Sequence, residues 1–133
     1  RLDVEEGTMP ANPIYEICLK GDYLRDPLIN EYHAMALGYA TQEELDTIHQ
    51  LSVQINQALI KMFKKVDIDV IDFKLEFGYD VNGNLLLVDE ISPDTARFWD
   101  TNSKQKLDKD RFRRDLGKVE EAYQEVLDRL EKE

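Results

Sequence analysis

Residues 71–100 constrain the fold most strongly, because they read as a β-hairpin that gathers charged side chains on one face. Residues 81–84, with the sequence VNGN, place Asn-Gly at the centre of a two-residue turn, where both central residues need positive φ. If residues 81 and 84 face each other, the register puts Glu76 opposite Asp89, with Lys74 diagonal to Asp89.

Side chains alternate between the two faces of this predicted hairpin. One face carries Asp72, Lys74, Glu76 and Asp89, and the other, the expected core face, carries Phe73, Leu75, Phe77, Leu86 and Val88. Two carboxylates directly opposite each other repel, so they need a compensating positive charge, for which a divalent cation is the natural candidate. The alternative is a row of solvent-facing charges in which Lys74 bridges the acids as a surface ion pair. The hairpin alone leaves both interpretations open.

The charge balance of the chain excludes one class of partner. Lys and Arg together number 17 against 28 for Asp and Glu, and a net charge of -11 argues against binding to a nucleic-acid duplex. A hydrophobic content of 42% in 133 residues suffices for a core, in one domain or in part of a larger protein. Any phosphate binding must therefore rely on local clusters of basic side chains.

Cysteine usage and hydropathy indicate the compartment. The single cysteine, Cys18, excludes an internal disulfide and is expected to be a small buried hydrophobe. No apolar run approaches the roughly 20 residues that span a bilayer, and no signal peptide is recognisable. We therefore expect a cytoplasmic, soluble protein with no membrane partner. Because the chain begins with Arg1 rather than Met, it is interpreted as a fragment.

The remaining elements complete an α+β fold class, an antiparallel β-hairpin sheet packed with amphipathic helices. Residues 14–19 predict a short strand, and the irregular segment after it carries Lys20, Asp22 and Asp26, either as functional groups or as backbone-capping turn residues. A capping-box pattern at residues 41–44 begins an amphipathic helix whose apolar positions continue to residue 63. A terminal amphipathic helix is predicted from residue 108 onward.

A strand break at residues 92–94, with the sequence SPD, presents side chains beside Arg97. The guanidinium of Arg97 offers a fixed fork of donors that suits a phosphate, whereas its alternative role is an ion pair with a neighbouring aspartate. The charged segment 108–113 is assigned no catalytic role, because a charged first helical turn is common.

Four ordered motifs closely resemble the SAICAR synthetase family, the phosphoribosylaminoimidazole-succinocarboxamide synthases. The motifs are Asp72-Phe73-Lys74-Leu75-Glu76-Phe77-Gly78, Asp89-Glu90-Ile91-Ser92-Pro93-Asp94, Arg97-Phe98-Trp99-Asp100 and Asp108-Lys109-Asp110-Arg111-Phe112-Arg113. Upstream, Leu19-Lys20-Gly21-Asp22 with Asp26-Pro27 and Asn30-Glu31 is also similar to that family. The resemblance therefore covers nearly the whole chain.

The resemblance implies an ATP-dependent ligase of de novo purine biosynthesis with a two-lobed α+β fold related to the ATP-grasp and protein-kinase arrangement. The implied reaction joins L-aspartate to carboxyaminoimidazole ribonucleotide through an acyl phosphate, with ATP and Mg2+ as cofactors. Residues 1–133 match the C-terminal lobe, and the family's N-terminal nucleotide-binding lobe is absent from the sequence. The chain alone is therefore expected to be inactive.

Site roles follow from the same resemblance, position by position. Glu76 and Asp89 would hold magnesium on the ATP phosphates, and Lys74 would contact a phosphate or the substrate carboxylate, which makes Lys74 and Glu76 the implied catalytic pair. Arg97 would bind the ribose phosphate of the nucleotide, and Asp94 a polar group of the same substrate. The other implied substrate-binding positions are Lys20, Asp22 and Asp26. A weaker candidate, for support of the metal or the lysine, is Asp72.

Two rival functions remain open at this level. The acidic hairpin could chelate a cation only to stabilise a non-catalytic interaction domain. Alternatively, another ATP-grasp ligase or a kinase-like phosphotransferase would share paired magnesium carboxylates but lack the residue 92–94 break followed by Arg97. Whether the protein forms a homo-oligomer is also open.

Overall fold

The computed structural model describes residues 2–132, so Arg1 and Glu133 lie outside the described residues. The chain divides into two units, Arg1–Leu45 and Asp46–Glu133.

The first unit contains short elements connected by irregular chain. Its strands are β1 (Ile17–Cys18) and β2 (Leu28–Ile29), which pair antiparallel, and its helix α1 spans Glu31–Ala36. The strand predicted over residues 14–19 is therefore present but shorter. The prediction that Cys18 is buried is wrong, because Ile17 takes the partly buried side of β1 and alternation turns Cys18 outward.

Helix α2 (Gln42–Lys64) confirms the predicted amphipathic helix and its capping box. The Thr41 backbone N–H donates to Glu44 Oε1 over 2.9 Å, and the Glu44 N–H donates to Thr41 Oγ1 over 3.2 Å. Two N–H groups that the first turn leaves without helical acceptors are thereby satisfied. Toward the end of the helix, Leu59 and Phe63 are buried.

In the second unit, the residues that the structure describes form four strands, which pair in two separate antiparallel sheets. Strand β3 (Ile68–Phe73) pairs with β6 (Ala96–Asp100), and β4 (Glu76–Tyr79) pairs with β5 (Leu85–Val88). The prediction of one continuous hairpin within residues 71–100 is therefore wrong, because these residues are divided between two ladders. Strand β3 ends at Phe73, and β4 begins at Glu76 in the second ladder. Lys74 therefore lies in the short connection between the two sheets.

The hydrophobic core of the second unit lies where α2 and the terminal helix meet the β3–β6 sheet. Its buried members are Leu59, Phe63, Ile68, Ala96, Phe98, Leu107, Ala122 and Val126. The rings of Phe63 and Phe98 stack with their centroids 4.5 Å apart. The β4–β5 hairpin supplies none of these buried residues, and Leu86 and Val88 on β5 are exposed, so the expected core face of the hairpin is wrong for these two positions.

The predicted terminal helix is two helices, α3 (Asp110–Arg113) and α4 (Val119–Glu131). The helix stops before Gly117, which has φ 71°, a left-handed conformation that glycine adopts without strain. The Arg111 guanidinium binds the carbonyl oxygens of Gly117 and Lys106 over 2.7 and 2.9 Å. These bonds hold the segment between α3 and α4 in place. The spacing of apolar residues in the sequence did not reveal this break.

The α+β fold class is confirmed by this arrangement of antiparallel strands and amphipathic helices. The relation to ATP-grasp enzymes stays a prediction. None of the helices described in residues 2–132 contains an apolar stretch that could span a bilayer.

Candidate functional site

The turn of the β4–β5 hairpin differs from its prediction by one residue. Asp80 and Asn84 close a three-residue loop, with the Asp80 N–H donating to the Asn84 carbonyl and the Gly83 N–H donating to the Asp80 carbonyl, each over 3.0 Å. Asp80 Oδ1 also accepts the backbone N–H groups of Asn82 and Asn84 over 2.9 Å. These bonds, led by the Asn84 N–H, lower the pKa of Asp80. Gly83 has φ 80°, as expected where a type I turn ends in a left-handed residue.

The longer loop shifts the register of the hairpin. Glu76 faces Val88, and Asp89 lies just beyond the end of β5, so the predicted direct opposition of Glu76 and Asp89 is wrong. Because a shift by one residue exchanges the faces of a strand, Leu86 and Val88 share the face of Glu76 rather than that of Phe77. Repulsion between facing carboxylates therefore does not argue for a cation here.

Lys74 and Glu76 nevertheless form a close pair at the start of the hairpin. Lys74 Nζ lies 3.0 Å from Glu76 Oε1, and the glutamate side chain is only 17% exposed. The Lys74 backbone N–H donates to the Thr95 carbonyl over 2.7 Å, which ties this position to the segment before β6. Asp89 has φ 80°, and its Oδ1 accepts the Glu90 N–H over 3.0 Å.

Arg97 on β6 is held by two aspartates from different elements. Its Nη1 lies 2.6 Å from Oδ2 of Asp72, its partner on β3, and its Nε lies 2.9 Å from Oδ2 of Asp110 on α3. Burial disfavours the charged form, but the two carboxylates outweigh burial and raise the pKa of Arg97. The ion-pair role considered for Arg97 is therefore present, and the guanidinium is fixed in one orientation.

Asp108 supports this arrangement by binding the backbone next to Arg97 and at Asp110. This supporting role was not predicted from the sequence. The residue is fully buried, and its carboxylate accepts the backbone N–H groups of Phe98 and Asp110, each over 2.8 Å. Burial raises the pKa of Asp108. The neighbouring Lys109 has a lowered pKa, first because it is partly buried and then because Arg97 lies near it. The run of charged residues in the sequence gave no signal that two of its members, Asp108 and Asp110, would be buried.

Asp94 lies in a loop whose backbone is fixed by its own hydrogen bonds. Ser92 N–H donates to Thr95 Oγ1 over 3.0 Å, and Asp94 N–H donates to Ser92 Oγ over 3.2 Å. The Lys109 N–H donates to the Pro93 carbonyl over 2.9 Å. The predicted strand break at residues 92–94 is thus an ordered turn that lies against the start of α3.

The hydroxyl of Tyr123 on α4 donates to Asp94 Oδ1 over 2.7 Å. Burial, followed by the hydrogen bond to Asp94, raises the pKa of Tyr123. The sequence pattern marked Tyr123 only as an apolar position of the terminal helix. No local signal could have indicated its polar contact, because 29 residues separate the partners.

In the first unit, the structure puts the remaining predicted residues around a tight turn. Asp22 begins a 3-10 turn at Asp22–Leu24, and Asp26 Oδ1 accepts the Gly21 N–H over 2.8 Å. The capping role considered for Asp26 is therefore present. Lys20 lies two residues after β1. The roles of these residues toward a substrate stay predictions.

A metal site would have to use few protein ligands. Within residues 2–132, no group of three or more His, Cys, Asp or Glu side chains is arranged to hold a metal ion. Magnesium commonly takes only one or two carboxylates and completes its shell with water and phosphate oxygens. The magnesium role of Glu76 and Asp89 therefore stays a prediction, and it would rely on nucleotide and water oxygens for the remaining ligands.

Two surface depressions of about 610 and 390 Å³ lie elsewhere in the second unit. They are lined mainly by α4, by residues 65–67, and by Asp100 and Asn102. None of the predicted site residues lines either depression.

Comparison with known proteins identifies the family. The model of the SAICAR synthetase family matches residues 1–130. The chain belongs to the SAICAR synthetase family. It is 56% identical over 131 residues to the phosphoribosylaminoimidazole-succinocarboxamide synthase of Dichelobacter nodosus, a match covering 98% of this chain and 55% of the relative. The synthase of Clostridium novyi is 57% identical over 130 residues, with 98% and 55% covered.

Solved SAICAR synthetases share this fold. One described as a type-2 SAICAR synthetase in complex with ADP superimposes with a TM-score of 0.93 at 46% identity, covering 99% of this chain and 56% of that chain. The SAICAR synthetase of Pyrococcus horikoshii OT3 gives a TM-score of 0.92 at 45% identity, with 99% and 57% covered. The chain thus spans about half the length of the family members that it matches.

Proposed function

We propose that this chain supplies the C-terminal lobe, and with it part of the active site, of an ATP-dependent ligase of de novo purine biosynthesis. The ligase joins the amino group of L-aspartate to the carboxylate of carboxyaminoimidazole ribonucleotide, called the imidazole nucleotide below. Membership of the SAICAR synthetase family supports the reaction. A cytoplasmic location is proposed with it, since the lone Cys18 allows no internal disulfide.

The observation that carries the proposal is the convergence of the four family-like motifs around Arg97. Asp72 of the first motif and Asp110 of the fourth both pair with Arg97 of the third. The second motif joins through the Pro93 carbonyl, which accepts the Lys109 N–H. Segments far apart in sequence thus form one cluster of charged side chains. A row of solvent-facing charges without a function would not need such convergence.

The chemistry requires an activated carboxylate. The substrate carboxylate attacks the γ-phosphorus of ATP, ADP leaves, and an acyl phosphate results. The aspartate nitrogen then attacks the acyl carbon, and phosphate leaves with one former carboxylate oxygen. Because ATP and the substrate are both anionic, the site must supply positive charge where they meet.

Each predicted residue takes one part of that task. Arg97, fixed from two sides, binds the ribose phosphate through its remaining donor capacity, and Asp94 accepts a hydrogen bond from the nucleotide. Lys74 contacts a transferring phosphate or the substrate carboxylate. Glu76 and Asp89 would hold magnesium, which supplies charge neutralisation to the ATP phosphates when bound. The further aspartate or substrate contacts are proposed for Lys20, Asp22 and Asp26.

Testing the proposal requires a polypeptide of the relatives' full length that carries residues 1–133 of this chain as its matching segment, called the full-length polypeptide below. ADP release is measured with the imidazole nucleotide and a panel of amino acids. We expect release to depend on L-aspartate, and release independent of aspartate would contradict the ligase assignment. The absence of any turnover would favour the non-catalytic interaction domain.

The metal role is tested in the same polypeptide by Glu76→Ala and Asp89→Ala. We expect turnover to fall at least about 100-fold while circular dichroism remains unchanged, because the ATP phosphates lose their cation. An exposed acid outside the motifs, Asp115, provides the control as Asp115→Ala. Unchanged turnover in either hairpin variant would exclude that residue as a ligand.

A further inference from the structure

Tyr123 connects the terminal helix to the loop that carries Asp94. Its ring packs against the hydrophobic core of the second unit, while its hydroxyl donates to Asp94 Oδ1 over 2.7 Å. Burial raises the pKa of Tyr123, so the hydroxyl keeps its proton and remains a donor throughout the neutral range. The aromatic ring therefore has a packing function, and the hydroxyl has a separate polar contact.

The loop around Asp94 does not need that hydroxyl to keep its backbone path. The Asp94 N–H bonds Ser92 Oγ, the Thr95 N–H bonds the Ser92 carbonyl, and the Lys109 N–H bonds the Pro93 carbonyl. Loss of the hydroxyl should leave these bonds intact. Its effect is then confined to the direction of the exposed Asp94 carboxylate.

We infer that Tyr123 is a positioning residue that holds the Asp94 carboxylate ready to accept a hydroxyl or amino donor of the imidazole nucleotide. This inference rests on the proposed substrate role of Asp94. An exposed aspartate populates several rotamers, and fixing one before binding removes an entropy cost from substrate association. A carboxylate oxygen has two acceptor positions, so the bond from Tyr123 leaves capacity for the substrate.

The kinetic test is Tyr123→Phe in the full-length polypeptide, which removes the hydroxyl and keeps the ring. We expect KM for the imidazole nucleotide to rise about tenfold, the scale of one hydrogen bond to a charged group, while KM for ATP stays within about twofold. The control is Tyr39→Phe, which removes a hydroxyl from a half-exposed tyrosine. A loss of activity without the split between the two KM values would instead show a structural role and overturn the inference.

A double-mutant cycle assigns the effect to Asp94. In an Asp94→Asn background, Tyr123→Phe should change KM by less than about twofold, because its target has already been altered. Full additivity of the two changes would overturn the inference.

Side-chain coupling constants of Asp94, measured by NMR, need no turnover and so decide the positioning even if the ligase assay fails. We expect the coupling constants of the parent protein to indicate one Asp94 rotamer, and those of Tyr123→Phe to be averaged over several rotamers. Averaging already present in the parent would contradict the inference, whereas absent aspartate-dependent turnover would contradict only the proposed function.

Discussion

At the scale of single residues, the candidate site depends on side chains that hold other side chains. Arg97 is oriented by Asp72 and Asp110, and Asp110 is in turn fixed through its backbone N–H by Asp108. The family resemblance could indicate Arg97 from sequence. It could not indicate the buried support, because burial depends on which distant element covers a residue.

Replacing Arg97 by lysine should be costly although it conserves charge. A lysine ammonium cannot bridge two aspartates and a phosphate with the planar fork of a guanidinium. We expect Arg97→Lys to lower kcat/KM for the imidazole nucleotide about 100-fold in the full-length polypeptide. The exposed Arg114 serves as control in Arg114→Lys, and equal activity of the two variants would exclude the phosphate role.

Asp108→Asn should destabilise the fold although it removes a buried charge. Asp108 accepts two backbone N–H groups with its two oxygens, whereas an asparagine amide turns its own N–H2 toward one of them in either orientation. The expected loss is about 2 kcal/mol in the free energy of unfolding measured by urea titration. Asp115→Asn at an exposed position should be nearly neutral. If Asp108→Asn were more stable than the parent, the desolvation penalty of the buried carboxylate would exceed the stabilisation from its two hydrogen bonds.

At the scale of elements, the hairpin shows how far periodicity predicts structure. Alternation correctly located β4 and β5, but one additional loop residue between Asp80 and Asn84 changed which side chains face each other. Both two-residue and three-residue loops are compatible with an Asn-Gly pair, and the side-chain bonds of Asp80 favour the longer one. The capping box of α2 was predictable because all of its partners lie within four residues.

The hairpin loop offers a matched pair of glycine substitutions. Gly83 has φ 80°, where an L side chain is strained, whereas Gly78 lies in β4 with open space around its missing Cβ. Gly83→Ala should lower hairpin stability by about 1 kcal/mol. Hydrogen exchange of the β4–β5 amides is the measurement, and Gly78→Ala should not accelerate that exchange. Equal exchange in both variants would contradict the observed loop geometry.

The end of β6 is joined to α4 by an ion pair that gives a pH-dependent contribution to stability. Asp100 accepts bonds from the Ser103 N–H and, over 2.6 Å, from Arg129 Nη2, and these lower the pKa of Asp100 well below its ordinary value of 3.8. The ionised form therefore stabilises the fold above that value, and the contribution is lost as the pH falls from 3.8 toward the folded-state pKa.

Thermal unfolding of the parent and of Asp100→Asn tests that contribution. The variant should be less stable by about 2 kcal/mol at neutral pH, because the asparagine amide faces Arg129 with no charge. Below pH 3.8 the difference between the two proteins should shrink. A difference independent of pH would show that ionisation of Asp100 does not contribute.

At the scale of the whole molecule, fold class and family could be predicted from sequence, and the division of the strands could not. The motifs identify the family because several side-chain types recur in order. The separation of β3–β6 from β4–β5 depends on long-range pairing, for which local patterns carry no information. The proposed lobe spans about half of its relatives' length, so activity is argued for the full-length polypeptide.

In the proposed reaction, ATP converts the carboxylate of the imidazole nucleotide to an acyl phosphate, and the aspartate nitrogen then attacks the acyl carbon. Oxygen-18 placed in the carboxylate of the imidazole nucleotide tests this reaction directly in the full-length polypeptide. Each turnover should transfer one labelled oxygen to inorganic phosphate, and only when L-aspartate is present. Unlabelled phosphate formed during aspartate-dependent turnover would contradict activation through an acyl phosphate.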